Sequence, residues 1–412
     1  PVLAVGRDNR PSGPSLAAGF RQGIRDAGGT AVDVGELPTP ALYFAVHALG
    51  TDGGCQVTGS HNPPEFNGFK MVLAGDSLHG DEILGLWETI VTERWATGEG
   101  RETADSSVLG KYRDAIVARH ALARPVSVVV DCGNGVGSVI AVPTLQALGA
   151  EVVGIFCESD GTFPNHHPDP TVPENLRDLQ AAVRAHGAEL GIAFDGDADR
   201  IGAVDEHGGI IFGDQLLVLF GRDAVRRFGA GTPVVFDVKC SEVLPQALAK
   251  AGARPEMWKT GHSLIKARMK ELKAPLAGEM SGHMFFGGDY LGFDDALFAA
   301  ARLLEIVSRS PHGLAPLLAD LPKTYATPEM RVDCPDELKF EIADRAVEHF
   351  RARYPVNTID GVRMTFPKGW GLIRSSNTQP VLVLRFEATE PAALDAYKAE
   401  VMGWLAAQGV RG

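Results

Sequence analysis

The chain repeats one pattern three times, and this repetition constrains its fold more than any other feature. Residues 1–35, 126–156 and 232–261 each run through a strand-like apolar segment, a polar turn, an amphipathic helix, a small-residue turn and a second strand. Units of this βαβ kind form parallel sheets that are covered by helices. Because the pattern returns after about 105 to 125 residues, we predict three tandem, related α/β domains.

The C-terminal part of the chain follows a different pattern. It predicts a helix, three short strands and a closing helix, at residues 335–354, 361–366, 371–373, 381–386 and 391–408. This order indicates a smaller α+β domain. The predicted fold class is therefore α/β, with three related α/β domains of mixed or parallel sheets and a C-terminal α+β domain. We place these domains at residues 1–105, 106–209, 210–321 and 322–412.

Charge and cysteine content exclude several classes of function. The formal net charge of −13 argues against a nucleic-acid partner and against an anionic membrane surface. No apolar run approaches the roughly 20 residues of a membrane span. The five cysteines are scattered without metal spacing, which predicts reduced thiols in a cytoplasm. The chain opens directly on the strand-like PVLAV without an initiator Met, so we expect a missing N-terminal segment. The sequence leaves monomer and homodimer open.

The run FDGDADR follows the apolar residues 190–194 and concentrates negative charge. It carries three aspartates and one arginine: Asp195, Asp197, Asp199 and Arg200. Three neighbouring carboxylates repel one another, and a hard divalent cation such as Mg²⁺ accepts oxygen ligands of this kind. The small residues Gly196 and Ala198 let the backbone curl around one centre, and an arginine suits a neighbouring phosphate. The alternative is a solvated acidic turn.

The run TGSHNPPEFNGFK, residues 58–70, places one hydroxyl in a constrained loop. Ser60 stands between Gly59, which permits unusual backbone angles, and His61, and two prolines stiffen the exit. A fixed, exposed hydroxyl is what a phosphoryl acceptor requires. Lys70 lies on the same stretch and could act as a general acid or base if nearby charge lowered its pKa. The alternative is a plain turn, since these residue types favour turns.

Two further loops carry convergent polar groups. In GEMSGHMFF, Glu279, Ser281 and His283 occupy alternate positions, so an extended backbone would point them to one side, where they could bind sugar hydroxyls. RSSNTQP supplies donors that suit the oxygens of a phosphate: Arg374, Ser376, Asn377 and Thr378. Plain polar loops are the alternatives. Lys239 and His262 lie at strand exits of the third repeat, where parallel sheets bind ligands.

Taken together and in this order, these motifs resemble those of the α-D-phosphohexomutase superfamily, most closely its bacterial phosphomannomutase/phosphoglucomutase branch. The resemblance implies three related α/β domains and a fourth α+β domain around one cleft. It implies an enzyme that interconverts hexose 1-phosphate and hexose 6-phosphate, of mannose, glucose or both. The family begins with a YDIRG-like loop whose arginine lies near the phosphoserine, and this chain has no such segment before Pro1.

The resemblance also implies a role for each motif. Ser60 would be the phosphoserine, assisted by Lys70 and the neighbouring His61, and would transfer its phosphate through a hexose 1,6-bisphosphate. Mg²⁺ would be bound by Asp195, Asp197, Asp199 and an oxygen of the phosphoserine. The sugar phosphate would be bound by the remaining candidates: Arg200, Lys239, His262, Glu279, Ser281, His283, Arg374, Ser376, Asn377 and Thr378.

Three other functions fit parts of the sequence. A phosphoglucosamine mutase is the nearest of these alternatives, although Met280 in the GEMSGHMFF loop favours a hexose phosphate. A Mg²⁺-dependent phosphatase would also use an aspartate-rich loop. A sugar-phosphate binding protein without catalysis would need neither Ser60 nor the three aspartates.

Overall fold

The three predicted repeats fold into sheets that share one topology. The computed structural model describes residues 1–376 and 379–410. In each of the first three units, the first strand lies between the second and the third, and these strands are parallel. A fourth strand then pairs antiparallel with the third. The predicted fold class is confirmed: three α/β units with mixed sheets precede an α+β unit.

Unit I has the strand order β5-β4-β3-β1-β2-β6. Its strands are β1 (Val2–Arg7), β2 (Thr30–Glu36), β3 (Gly53–Val57), β4 (Phe69–Leu73), β5 (Asp76–Ser77) and β6 (Arg101–Ala104). Its helices are α1 (Gly13–Asp26), α2 (Thr39–Leu49) and α3 (Asp81–Val91), and α4 (Val108–Val117) leads to unit II.

Unit II has the strand order β11-β10-β9-β7-β8. Its strands are β7 (Ser127–Asp131), β8 (Glu151–Ile155), β9 (Leu190–Phe194), β10 (Ile201–Asp205) and β11 (Ile210–Ile211), and its helices are α5 (Ala141–Ala147) and α6 (Arg177–His186). The strand β9 has the sequence LGIAF and is buried along its whole length. It lacks polar alternation because both faces of the sheet are covered.

Unit III has the strand order β13-β12-β14-β15. Its strands are β12 (Pro233–Asp237), β13 (Arg254–Trp258), β14 (Leu276–Gly278) and β15 (Met284–Phe286). Its helices are α7 (Gly213–Phe228), α8 (Val243–Lys250), α9 (His262–Leu272) and α10 (Ala296–Ser308). Helix α10 is buried on nearly every side, which explains its almost wholly apolar sequence.

Unit IV pairs its strands antiparallel in the order β16-β21-β20-β19-β18, and β17 also pairs with β21. Its strands are β16 (Tyr325–Ala326), β17 (Met330–Asp333), β18 (Val356–Asn357), β19 (Val362–Phe366), β20 (Gly369–Ser375) and β21 (Val381–Ala388). Its helices are α11 (Asp336–Arg351) and α12 (Pro391–Ala407). The two helices and the strands β19, β20 and β21 agree with the order predicted for the C-terminal part, whereas β16, β17 and β18 were not predicted.

The repeated topology explains where three of the sequence motifs lie. The loops 58–68, 195–200 and 279–283 each connect the third strand of a unit to its antiparallel fourth strand, β3 to β4, β9 to β10 and β14 to β15. The carboxyl ends of parallel strands are the usual ligand-binding edge of such sheets. The domain boundaries proposed from the sequence remain predictions. No helix among the described residues is both long and apolar enough to cross a bilayer.

Candidate active site

The loop that carries Ser60 is held by a buried arginine, Arg10, which follows β1. The guanidinium of Arg10 is fully buried, and its Nε lies 3.1 Å from Oδ2 of Asp8. Its two terminal nitrogens donate, over 2.6 to 3.0 Å, to four backbone carbonyls of the loop, those of Ser60, Asn62, Pro63 and Phe66. Because one rigid group bonds to four carbonyls, the loop has little freedom to move. Sequence reasoning missed Arg10, whose only signal is its position at the exit of the first strand.

Ser60 directs its hydroxyl at the aspartate loop. Its Oγ lies 3.0 Å from Oδ2 of Asp195, and its backbone has the left-handed φ of 48°. The amide of Ser60 donates to Oγ1 of Thr58 over 2.8 Å, which stabilises this conformation. A Cβ on Gly196 would lie only 2.3 Å from the carbonyl oxygen of Ser60. A glycine is therefore needed at position 196 for the two loops to meet.

The three aspartates of this loop form a buried carboxylate cluster. Asp195, Asp197 and Asp199 are each 0% exposed, and their ligand oxygens lie within 4.8 Å of one another. Among the described residues, Oδ1 of Asp197 and Oδ1 of Asp199 have no hydrogen-bond partner. Burial raises the pKa of Asp195 well above its usual value, and the neighbouring aspartates raise it further. Buried oxygens that lack donors fit a hard divalent cation, so the cluster could bind a metal ion.

Lys70, on β4, supplies positive charge to this cluster. Its Nζ lies 2.7 Å from Oδ2 of Asp197 and 2.5 Å from Oδ2 of Asp199. Burial opposes the charged form, but the two carboxylates raise the pKa of Lys70 well above its usual value. The sequence argument required a lowered pKa, and that condition is wrong here because the nearest charges are negative. In this arrangement Lys70 is a counter-ion of the aspartate cluster.

Thr39, at the start of α2, also supports the aspartate loop and was missed from the sequence. Its Oγ1 donates to Oδ2 of Asp197 over 2.5 Å, and its amide donates to the Asp197 carbonyl over 3.0 Å. His61 contacts a different carboxylate: its Nδ1 lies 3.1 Å from Oδ2 of Asp169. Burial and the charge of Arg200 lower the pKa of His61. The structure thus pairs His61 with Asp169 at the edge of the Ser60 loop.

The GEMSGH motif, residues 278–283, is a tight turn, so the extended arrangement considered from the sequence is wrong. The amide of Glu279 donates to the His283 carbonyl over 2.9 Å, and the amide of Gly282 donates to the Glu279 carbonyl over 3.0 Å. Gly282 has a φ of 94°, and a Cβ there would lie 2.4 Å from the Ile201 carbonyl oxygen. The backbone reverses because β14 and β15 pair antiparallel, so alternate residues do not share one face.

The turn directs its polar side chains to two places. Glu279 is buried, and its carboxylate accepts from the Gly261 amide over 2.6 Å and from Oγ of Ser281 over 3.3 Å. His283 points instead to the aspartate loop, where its Nε2 accepts from Nε of Arg200 over 3.0 Å. Contact between the loops of units II and III therefore passes through an arginine–histidine pair.

Asp294 lies close to two histidines, His262 and His283, behind the Arg200–His283 pair. Sequence reasoning also missed this aspartate. Its Oδ2 lies 3.3 Å from Nδ1 of His283 and 3.5 Å from Nδ1 of His262, and the two imidazole rings stack with centroids 5.7 Å apart. Burial and the charge of Lys266 lower the pKa of His262 well below its usual value. The structure thus brings His262, from the start of α9, to the same cluster as His283.

The remaining charged candidates, Lys239 and Arg374, lie in units III and IV and are paired with carboxylates. Nζ of Lys239 lies 2.9 Å from Oε2 of Glu329, and Nε of Arg374 lies 2.9 Å from Oδ2 of Asp360. Ser376 accepts a hydrogen bond at Oγ from the Gln379 amide over 3.2 Å. The predicted phosphate ligands Asn377 and Thr378 lie outside the described residues. The structure does not bring these cations into direct contact with Ser60.

Comparison with known proteins gives matches along the whole chain. Models of the phosphoglucomutase/phosphomannomutase family match by their α/β/α domains I, II and III at residues 1–95, 110–209 and 212–325, and by their C-terminal domain at residues 329–403. The phosphomannomutase/phosphoglucomutase of Pseudomonas aeruginosa is 48% identical over 399 residues, which are 97% of this chain and 86% of that protein. The phosphoglucomutase of Neisseria gonorrhoeae is 45% identical, over 95% of this chain and 86% of that protein.

A solved structure agrees with these matches. The crystal structure of a phosphoglucomutase/phosphomannomutase family protein from Burkholderia thailandensis superposes with a TM-score of 0.91 at 45% identity, over 98% of this chain and 89% of that one. Family models along the chain and a relative of 48% identity confirm both the resemblance and the predicted mutase class. Together with a serine hydroxyl that faces a buried triplet of aspartates, they show that the chain belongs to the phosphoglucomutase/phosphomannomutase family of phosphohexomutases.

Proposed function

We propose that this protein interconverts the 1-phosphate and 6-phosphate of mannose, glucose or both, through phosphorylated Ser60 and a hexose 1,6-bisphosphate. The observation that carries the proposal is the 3.0 Å distance between Oγ of Ser60 and Oδ2 of Asp195. The other two aspartates of this buried triplet each keep one oxygen that has no hydrogen-bond partner among the described residues. The printed names of the relatives, phosphomannomutase/phosphoglucomutase and phosphoglucomutase, support these substrates.

A phosphoenzyme solves a geometric problem of this reaction. O1 and O6 lie on opposite sides of the hexose ring, so one phosphate cannot pass directly between them. Phospho-Ser60 would donate its phosphoryl group to the free sugar hydroxyl: the bond from phosphorus to the serine oxygen breaks, a bond to the sugar oxygen forms, and the proton lost by the sugar hydroxyl ends on the serine oxygen. The bisphosphate would then turn end for end and return its other phosphoryl group to Ser60.

The residues around Ser60 have complementary tasks in this scheme. Arg10 fixes the loop so that the hydroxyl keeps its position relative to the incoming phosphate. Lys70 and Arg200 place positive charge beside the aspartate loop, where the transferred group would be most negative. When bound, Mg²⁺ would be held by the three aspartates and a phosphoserine oxygen, and would offset charge on the phosphoryl group.

The other half of the substrate would contact units III and IV. Glu279 and Ser281 would bind the sugar hydroxyls, with His262 and His283 beside them. The distal phosphate would be held by donors at the end of β20 and in the loop after it, together with a lysine of unit III: Arg374, Ser376, Asn377, Thr378 and Lys239. The proposal also includes a monomer or homodimer and a cytoplasmic location, which the absence of disulfides among the described cysteines fits.

The test is a coupled assay of the purified chain with glucose 1-phosphate and mannose 1-phosphate. We expect isomerisation that is stimulated by hexose 1,6-bisphosphate and requires Mg²⁺. We expect Ser60→Ala to reduce turnover by about 10⁴-fold or more, because it removes the group that carries the phosphate. The exposed Ser106→Ala is the matched control. Release of inorganic phosphate instead of isomerisation would identify a hydrolase, and full activity of Ser60→Ala would overturn the proposal.

A further inference from the structure

Two thiols meet in unit II, behind the aspartate loop. Cys132 directly follows β7, and Cys157 lies two residues after β8. The two strands are parallel neighbours with Asp131 opposite Ile155, so their ends bring the two side chains together. The Sγ atoms of Cys132 and Cys157 lie 3.3 Å apart, and both thiols are free.

The environments of these thiols differ in a way that favours oxidation. Cys132 is fully buried, whereas Cys157 is half-buried and lines a cavity of about 350 Å³ together with Asn134, Phe156 and Asn165. The hydrogen bond with Cys132 lowers the pKa of Cys157, although burial opposes this effect. That same hydrogen bond, together with burial, raises the pKa of Cys132. A half-buried thiol of lowered pKa beside a fully buried thiol of raised pKa is the arrangement of an attacking and a resolving cysteine.

We propose that Cys132 and Cys157 form a modification site that hydrogen peroxide converts to a disulfide. The Cys157 thiolate attacks one peroxide oxygen, the O–O bond breaks, and the sulfur becomes a sulfenic acid while hydroxide leaves. The Cys132 sulfur then attacks the sulfenic sulfur. The S–S bond forms, and the hydroxyl group leaves as water with the Cys132 proton. The two thiols lose two electrons, and one peroxide becomes two waters.

The segment that follows Cys132 connects this site to the nucleophile and aspartate loops. The Asn134 carbonyl accepts from Nδ2 of Asn9, which is next to Arg10, over 2.7 Å. The Val136 amide donates to the Gly196 carbonyl, within the aspartate loop, over 2.9 Å. A disulfide needs an S–S distance of about 2.05 Å, so the sulfurs must approach by more than about 1 Å from their 3.3 Å separation. Oxidation therefore displaces the support of both loops and lowers turnover.

The experiment treats the reduced, full chain with one equivalent of hydrogen peroxide. We expect the loss of two free thiols, a mass lower by about 2 Da and one peptide pair joined through Cys132 and Cys157. We expect turnover to fall by about 10- to 100-fold, since a displacement of 1 Å at a site can cost this much. Dithiothreitol should restore both the mass and the turnover.

Two variants separate this site from the other cysteines. Cys157→Ser should keep the turnover of the reduced protein and resist peroxide, whereas Cys334→Ser, in unit IV, should respond as the unmodified chain does. A treated protein without the 132–157 link would overturn the proposal, as would an equal loss of turnover in Cys157→Ser. A disulfide that leaves turnover unchanged would contradict the connection to the active site. The mass measurement does not depend on the proposed mutase activity, so the two can fail separately.

Discussion

The two halves of the candidate site differ in how their charges are satisfied. In the half formed by units I and II, Arg10 and Thr39 fix the loops, while Oδ1 of Asp197 and Oδ1 of Asp199 lack a partner among the described residues. In the half formed by units III and IV, the cations are already paired, Arg374 with Asp360 and the lysine at position 239 with a glutamate. The first half is preorganised for chemistry. Under the proposed function, the cations of the second half must exchange these carboxylates for phosphate.

The packing of the molecule follows the same division. One continuous apolar cluster, from Ala4 to Leu318, spans units I to III, whereas unit IV packs around its own core from Val332 to Val410. Unit IV meets unit III through an apolar cluster of Val238, Trp370 and Leu372, and Nη1 of Arg363 in unit IV donates to the Cys240 carbonyl of unit III over 2.8 Å. A unit with its own core can shift as a body. Under the proposed function, the chemical step therefore lies in the units that share a core, and phosphate exchange involves the unit that has a separate core.

Asp197→Asn, in the half formed by units I and II, is expected to have the largest effect of the three substitutions that test this comparison. The change removes one charge and one oxygen ligand but keeps the size of the side chain. We expect the affinity for Mg²⁺ to fall by more than about 100-fold, because even outer-shell changes at metal sites cost about 10- to 100-fold. Isothermal titration with Mg²⁺ measures this, and the exposed Asp178→Asn is the control. Unchanged affinity would show that the triplet is not the metal site.

A smaller effect is expected from Arg374→Ala, in the half formed by units III and IV. Loss of a charged hydrogen bond to phosphate costs about 1.5–3 kcal/mol, which corresponds to about 10- to 150-fold in KM. We expect kcat to change much less, because the nucleophile and the aspartates are untouched. Steady-state kinetics with glucose 1-phosphate measure both constants, with Arg353→Ala on the surface of unit IV as the control. A fall in kcat at constant KM would contradict the assignment of Arg374 to binding.

The smallest effect is expected from His120→Gln, in the shared core. Nδ1 of His120 lies 2.9 Å from the Ile116 carbonyl oxygen, and burial lowers the pKa of His120 to about 4. Between pH 6.5 and 4 the unfolded chain binds a proton that the folded chain does not, so stability falls as pH falls through this window. From pH 6.5 to 5.5 we expect the free energy of unfolding of the unmodified chain to fall by about 1 kcal/mol more than that of the variant.

Urea unfolding at the two pH values measures this difference, and the exposed His312→Gln should behave as the native chain does. Equal pH dependence in the native chain and His120→Gln would show that His120 is not the group that titrates. Since His120 packs against Phe298 of α10, with ring centroids 4.5 Å apart, the result also reports on the core that carries the preorganised half.

Local patterns predicted much of this protein because they depend on neighbouring residues. The period of apolar positions predicted the helix at residues 335–354, which the structure has at Asp336–Arg351, and the closing helix, which it has at Pro391–Ala407. The run FDGDADR indicated a carboxylate cluster, and burial of Asp195 agrees with it. The polar runs also sit at strand ends, where the repeated topology places the loops of units I, II and III at equivalent positions.

By itself the sequence determined the order of elements, the repeat and the four motifs, since helix period, strand composition and turn chemistry are short-range properties. The tertiary structure decided which distant groups meet. From its sequence context Arg10 resembles a surface arginine, but the structure buries it under the loop of Ser60, which lies 50 residues further along the chain. Thr39 and Asp197, which form a hydrogen bond, are 158 residues apart in the sequence. The raised pKa of Lys70 has the same origin, because it depends on two carboxylates of another unit. Such contacts follow from the packing of whole sheets, which no local sequence pattern predicts.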